Sequence, residues 1–238
     1  MRRRPRPLLV IGAGGFARET AQLLRRHPAA GPDGERYRVA GFLDDDPRRH
    51  GTLVDGVPVL GSSELAADHV ARGGAALACV GNPGARTSRQ ALVDRLDLPD
   101  EAWATVLHPL ASVSPDSVVG AGSVLHAGVV LTAAVHLGRH AAVMPQVVLT
   151  HDDEIGDAVT FGAGVRLAGG VTVGPAAYLG SGALVREGRR IGAAALVGMG
   201  SVVLSDVPPA QIWAGNPARP LPQSITATVP SAALEAQL

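Results

Sequence analysis

From Leu107 to Pro208 the apolar positions recur every six residues without an insertion. The first position of each six, from Leu107, Val113 and Val119 through to Val197 and Val203, is always Val, Leu, Ile or Phe. The second is often Gly, as at Gly120, Gly138, Gly156 and Gly174. The fifth is Ala, Ser or Val except at Asp153 and Arg189. A helix needs a period of about 3.6 and would not tolerate this density of glycine. A six-residue period predicts a solenoid in which three sixes close one triangular coil. Each six supplies a short parallel strand and a tight corner, with the first and fifth side chains pointing inward. The stretch is long enough for five to six coils.

The pattern before the repeat is different. Leu8 to Ile11 is a short buried-strand run that meets Gly12-Ala-Gly14-Gly15-Phe16-Ala17, followed by a helical stretch from Arg18 to Arg26. Val39 to Leu43 reads as a second strand ending in Asp44, Asp45 and Asp46, and Ala75 to Val80 as a third, followed by Gly81-Asn82-Pro-Gly. Ser88 to Leu96 reads as a helix. Strands alternating with helices predict a small α/β, Rossmann-like domain over residues 1–105. A glycine turn between strand and helix lets backbone N–H groups approach a phosphate. Gly12, Gly14, Gly15, Phe16, Gly81 and Asn82 are therefore candidates for binding a nucleotide or nucleotide sugar, with Asp44 or Asp45 on a ribose hydroxyl. The acids lie about 30 residues past the glycines, where a dinucleotide fingerprint expects about 20. The bland alternative is that the glycines only make a tight turn. Asp46-Pro47 reads as a turn, and His27, His50 and His69 as surface residues.

The solenoid is assigned residues 106–208 and a cap and tail residues 209–238. Pro208 and Pro209 are expected to stop the ladder and Trp213 to cap the apolar core. Residues 221–238 read as irregular, with a short helix from Ser231.

Aromatic residues are 3% of the chain, so the core must be built from Val, Leu, Ile and Ala. The formal net charge is zero, which gives no electrostatic argument for nucleic acid or an anionic membrane. The lone Cys79 excludes an internal disulfide and a multi-cysteine metal site. The basic start, Met1 to Pro7, precedes an apolar run too short for a signal sequence. No run approaches the ~18 apolar residues of a membrane span. A cytoplasmic location and no membrane partner are expected.

Several stretches carry a family resemblance: Ile11-Gly-Ala-Gly-Gly-Phe16, Gly41-Phe-Leu-Asp-Asp45, Gly56-Val-Pro-Val-Leu-Gly61, Val80-Gly-Asn82, His108-Pro-Leu-Ala111, His151-Asp-Asp-Glu-Ile-Gly-Asp157 and Gly215-Asn-Pro-Ala-Arg219. With the hexapeptide, they make the chain similar to hexapeptide-repeat acyltransferases. The nearest branch is the bacterial sialic-acid O-acetyltransferases and UDP-4-amino-sugar N-acetyltransferases. The resemblance implies a left-handed parallel β-helix, a homotrimer and acetyl-CoA as acyl donor. Coenzyme A would run along the β-helix between subunits, near Ile155, Gly169, Gly170, Gly215 and Arg219. The acceptor would be a sugar, nucleotide sugar or related small metabolite, acylated on N or O.

The break in the repeat at Leu149-Thr-His151-Asp-Asp-Glu154 is the candidate catalytic centre. Acyl transfer from a thioester needs a base for the attacking group and a donor for the oxyanion. The resemblance implies that His151 is the base, that Asp152 orients it, and that the Gly169 N–H, one coil on, is the oxyanion donor. Many relatives have Glu in place of Asp152, so Glu154 is a candidate to share its task. Two further departures bear on the acceptor: relatives often have His where this chain has Phe16, and some have His at the position of Thr160. His126, His136 and His140 read as surface or interface residues and His108 as structural. The second break, Glu187 to Arg190, is unassigned.

Four other classes compete. A metal-dependent, carbonic-anhydrase-like β-helix needs three His, usually with two in one column 18n residues apart; no pair in the repeat is read at a separation of 18 or 36, and no metal is expected. A dehydrogenase would leave the solenoid without a role. A sugar-phosphate nucleotidyltransferase needs a larger N-terminal domain. A non-catalytic β-helix scaffold is the remaining alternative.

Overall fold

The computed structural model describes residues 4–28 and 30–222. The helix expected from Ser231 lies outside the described residues.

The N-terminal domain is a three-stranded parallel sheet flanked by helices. Strands β1 (Arg6–Ile11) and β2 (Tyr37–Leu43) are followed by a small hairpin of β3 (Leu53–Val54) and β4 (Val57–Pro58), then β5 (Ala75–Ala78). The order is β2-β1-β5, with all pairs parallel. Helix α1 (Gly15–Arg26) opens at the glycine turn, α2 (Leu65–Ala71) precedes β5, and α3 (Ser88–Leu96) follows it. The β3–β4 hairpin and α2 carry no strong periodicity, and the sequence pattern did not predict them.

The repeat folds as a left-handed parallel β-helix. Two-residue strands stack on three faces, every strand pairing with those 18 residues away. Face one runs from Val106–Leu107 through Thr160–Phe161 to Leu196–Val197, face two from Ser112–Val113 to Val202–Val203, and face three from Val118–Val119 to Arg190–Ile191. First-position side chains such as Leu125, Leu149, Phe161 and Leu179 are fully buried in one continuous core.

The corners explain the rest of the pattern. The fourth residue of most sixes has positive φ, as at Gln146 (63°), Asp152 (61°) and Ala176 (55°). In several corners the fifth N–H returns to the second carbonyl, for example Val165 to Gly162 at 3.3 Å. That is a type II turn, and Pro145 and Pro175 at the third position preset its first central φ.

The ladder does not stop at the prolines. Ile212–Gly215 adds a further parallel strand to face one beside Leu196–Val197, and Ala218–Pro220 pairs with it antiparallel. Pro208 and Pro209 sit in a corner, where no ladder N–H is needed. Trp213 packs half-buried against the last core layer.

The N-terminal domain is seated on face one. Its core continues into Val106 and Val124 of that face. His126 and His140, read as surface or interface residues, lie at the interface between the two domains, where the N-terminal domain covers them. His126 lies under Phe16, with ring centroids 6.2 Å apart, and His140 meets Trp103 edge-on at 4.8 Å. They are 5% and 2% exposed, and burial pushes both imidazoles down to about 4. His136 is exposed and His27 half-buried, edge-on to His108. His69 is half-buried against the Pro7 carbonyl, and of the three N-terminal histidines only His50 is exposed.

Candidate active site

His151 stands on the corner between faces two and three. Its Nδ1 is 2.8 Å from Asp152 Oδ2, and both side chains are largely exposed. Asp152 occupies the positive-φ position of the turn, which Asp tolerates better than most side chains. With Nδ1 donating to that carboxylate, Nε2 is left as the free basic nitrogen.

Gly169 lies directly above, one coil on. A Cβ built there would overlap the His151 imidazole, so the ring fills the space that glycine leaves. The Gly169 N–H makes no hydrogen bond among the described residues. Gly170, at φ 69°, donates to the His151 carbonyl at 2.8 Å.

The three acids of the break have separate places. Asp152 faces His151. Asp153 turns inward, is 0% exposed, and accepts from Thr150 N and Val171 N, both at 2.8 Å. Burial pushes its carboxyl up to about 6 against those two donors. Glu154 lies 3.5 Å from His136 instead of sharing the role of Asp152. Ile155 points into the core and offers a ligand only its backbone. Gly215 and Arg219 are not brought to this corner: they lie at the far end of face one. The stretch Glu187 to Arg190 is an exposed corner in the column above Gly169, with Arg189 3.6 Å from Asp206.

In the N-terminal domain, Gly12 is required by geometry: φ is 103° and a Cβ would strike the Cys79 carbonyl. Gly14 and Gly15 face open space, so their backbone is approachable and α1 has no side-chain cap. Asp44 accepts from Ala13 N and Asp46 N, each at 3.0 Å, and Asp45 from Ser63 and Arg95. Both acids therefore already have partners within the domain. Asn82 Oδ1 accepts from Gly84 N.

Three cavities with shared walls form one trough. The first, ≈ 480 Å³, lies between Asp45, Leu92 and Arg95. The second, ≈ 340 Å³, runs along the glycine turn. The third, ≈ 450 Å³, lies between that turn and the solenoid, against Phe16, Met144, Thr160, Tyr178 and Ser181. Phe16 and Thr160, the two departures from the family pattern, thus line the same cavity. In this chain the trough abuts face one and the corner after it, whereas His151 stands on the next corner.

Arg89, on α3, was missed in the sequence. It is 2% exposed and donates to the Val80, Ala158 and Val159 carbonyls and to Thr160 Oγ1. No carboxylate pairs with it among the described residues, and burial lowers its pKa to about 10. The signal was present: Arg89, Leu92 and Val93 are spaced i, i+3, i+4 on one helix face.

The reading that no histidine pair is 18 residues apart is corrected: His108 and His126 have that spacing and share a column. No cluster of three or more metal-ligating side chains occurs among the described residues. No helix there is long and apolar enough to cross a membrane.

The PglD N-terminal domain family matches residues 7–94. A comparison with curated proteins found no significant match. Among solved structures, perosamine N-acetyltransferase from Caulobacter crescentus, in complex with CoA and GDP-perosamine, is 34% identical, with a TM-score of 0.78 over 91% of this chain and 97% of that one. The acetyltransferase domain of PglB from Neisseria gonorrhoeae, in complex with acetyl coenzyme A, is 29% identical, with a TM-score of 0.75 over 92% and 100%. WeeI from Acinetobacter baumannii is 28% identical, with a TM-score of 0.73 over 90% and 99%. These likenesses span both domains, and at 34% identity over 91% of its length the chain belongs to the hexapeptide-repeat sugar acetyltransferases.

Proposed function

We propose that the protein transfers an acetyl group from acetyl-CoA to the amine of a nucleotide-linked amino sugar, with His151 as general base. The observation that carries this reading is the His151 corner: an imidazole held by Asp152 at 2.8 Å and packed on Gly169, whose N–H has no partner among the described residues. His151 Nε2 takes a proton as the amine nitrogen attacks the thioester carbon. The Gly169 N–H faces the developing oxyanion. Collapse breaks the C–S bond, and the proton leaves with the coenzyme A thiol. Nδ1, held by Asp152, keeps the tautomer this requires.

The nucleotide end of the acceptor fits the trough, with its diphosphate along Gly14 and Gly15 at the uncapped start of α1. Its sugar reaches the cavity lined by Phe16 and Thr160. Since His151 stands one corner away from the trough, the reading requires a second copy to deliver the base. Face two lies between these corners and presents the partly exposed Val130, Val148, Leu184 and Val202 in one column, interrupted by the exposed Arg166. A homotrimer packed on that face would set the His151 of one subunit against the trough of the next. We infer a cytoplasmic reaction, on the ground that the donor is acetyl-CoA.

The test is thiol release from acetyl-CoA with a panel of nucleotide-linked amino sugars, free amino sugars and sialic acids. Release with nucleotide-linked amines by the wild type, and its loss in His151→Ala, is the expected result. Unchanged transfer by His151→Ala would overturn the mechanism.

A further inference from the structure

Asp153 breaks the rule of its repeat position. At the fifth place of a six the solenoid uses Ala, Val or Ser, and a buried carboxylate is costly to desolvate. The structure shows what it does there. In corners with an apolar fifth residue, the fifth N–H commonly closes its own turn, as in Val165 to Gly162 at 3.3 Å. Ser117 and Ser123 make a different bond: each hydroxyl accepts the fifth N–H of the next coil, Val135 and Ala141, at 3.0 Å. Asp153 makes that cross-coil bond to Val171 and also holds Thr150 N in its own turn.

These bonds bracket both halves of the proposed catalytic pair. Thr150 and Asp153 flank His151. Val171 is two residues past Gly169. Thr150 Oγ1 adds a further tie to the Leu167 carbonyl at 3.1 Å. The two side-chain ties supplement the Gly170-to-His151 backbone bond at 2.8 Å. The coil above, at residues 168–171, has no such side-chain strap to the corner at 186–189 among the described residues; Gly188 N on the Gly169 carbonyl is its backbone tie.

We infer that Asp153 is a positioning residue, an internal strut that fixes the height of the Gly169 N–H above the His151 imidazole. It does not touch the reacting atoms. A serine could hold one of its two bonds, and a valine neither, although valine is the residue the repeat itself prefers. The inference rests on the reading of His151 as base and Gly169 as oxyanion donor.

The test is the full-length protein carrying Asp153→Val or Asp153→Ser, assayed for turnover with acetyl-CoA and the acceptor found active with the wild type. Asp153→Val is expected to fold and melt no lower than the wild type, because valine suits the site. Its kcat is expected to fall about 10- to 100-fold, with both KM values within about twofold, since small misplacements cost that much. Asp153→Ser, keeping the cross-coil bond, recovers part of the loss. A folded Asp153→Val with kcat within about twofold of the wild type overturns the strut. Amide exchange in the wild type gives a second test that needs no variant. Thr150 and Val171 N–H are expected to exchange far more slowly than Gly169 N–H, and equal rates overturn the inference. A wild type that transfers no acetyl group instead removes the catalytic reading, and the exchange rates still decide whether the strut exists.

Discussion

Arg89 Nη2 on α3 donates to the hydroxyl of Thr160 on the solenoid at 2.7 Å, across the junction of the two domains. The same nitrogen reaches the Ala158 and Val159 carbonyls, while Nη1 holds the Val80 carbonyl at the end of the third sheet strand. One buried cation thus fixes the floor of the trough to face one.

Arg89→Met keeps the stem and removes four hydrogen bonds. Each bond to a charged donor is worth about 1.5–3 kcal/mol, offset by relief of the buried charge. The expected net loss is about 2–4 kcal/mol, with Thr160→Val costing about 1 kcal/mol. Urea unfolding measures both, and equal stability of Arg89→Met and the wild type would refute this account of the junction.

Gly169→Ala puts a methyl group into the imidazole's place. The ring must leave its position, and kcat is expected to drop at least about 100-fold. The open corner should accommodate the methyl without unfolding, so circular dichroism should match the wild type while thiol release is lost.

Phe16→His restores the side chain often seen in relatives. Phe16 lines the trough and not the His151 corner, so KM for the acceptor is expected to change while KM for acetyl-CoA stays within about twofold. Titration of each substrate separately distinguishes these outcomes.

Acid should destabilise the fold through His126 and His140. Both are neutral in the fold down to about pH 4, whereas the unfolded chain protonates them near 6.5. Their neutral burial is fully compatible with folding above pH 6.5. Stability is lost as pH falls from there towards 4, by up to about 1.4 kcal/mol per pH unit for each imidazole. The double variant His126→Leu, His140→Leu should flatten the melting-temperature profile across that window.

Much of this was legible in the sequence because the repeat is strict. First-position residues such as Leu125 and Leu149 could point only inward, and a six with no insertions leaves one register. His151 stood out because it interrupts that order. The N-terminal strands were legible from Leu8 to Ile11 and Val39 to Leu43, but the Leu53–Val54 and Val57–Pro58 hairpin was not, since two-residue strands leave no periodicity to read. For His126 and His140 the choice between surface and interface was not legible. Position within a six tells which side chains leave the prism, not which face another domain will cover. Asp153 was seen as an exception, yet its role needed coordinates, because the backbone donors it accepts from lie partly in the next coil.

The absence of insertions between Leu107 and Pro208 makes the solenoid a ruler with one graduation. A single residue added before His151 would turn every later inward side chain towards solvent and rotate the corner off its edge. Eighteen residues added beyond Val203 would lengthen the prism by about 4.8 Å, the spacing of one strand, and disturb nothing below. Within the repeat, a change in length by whole coils keeps this phase, and the spacing of the trough and His151 is counted in residues as firmly as it is held by contacts.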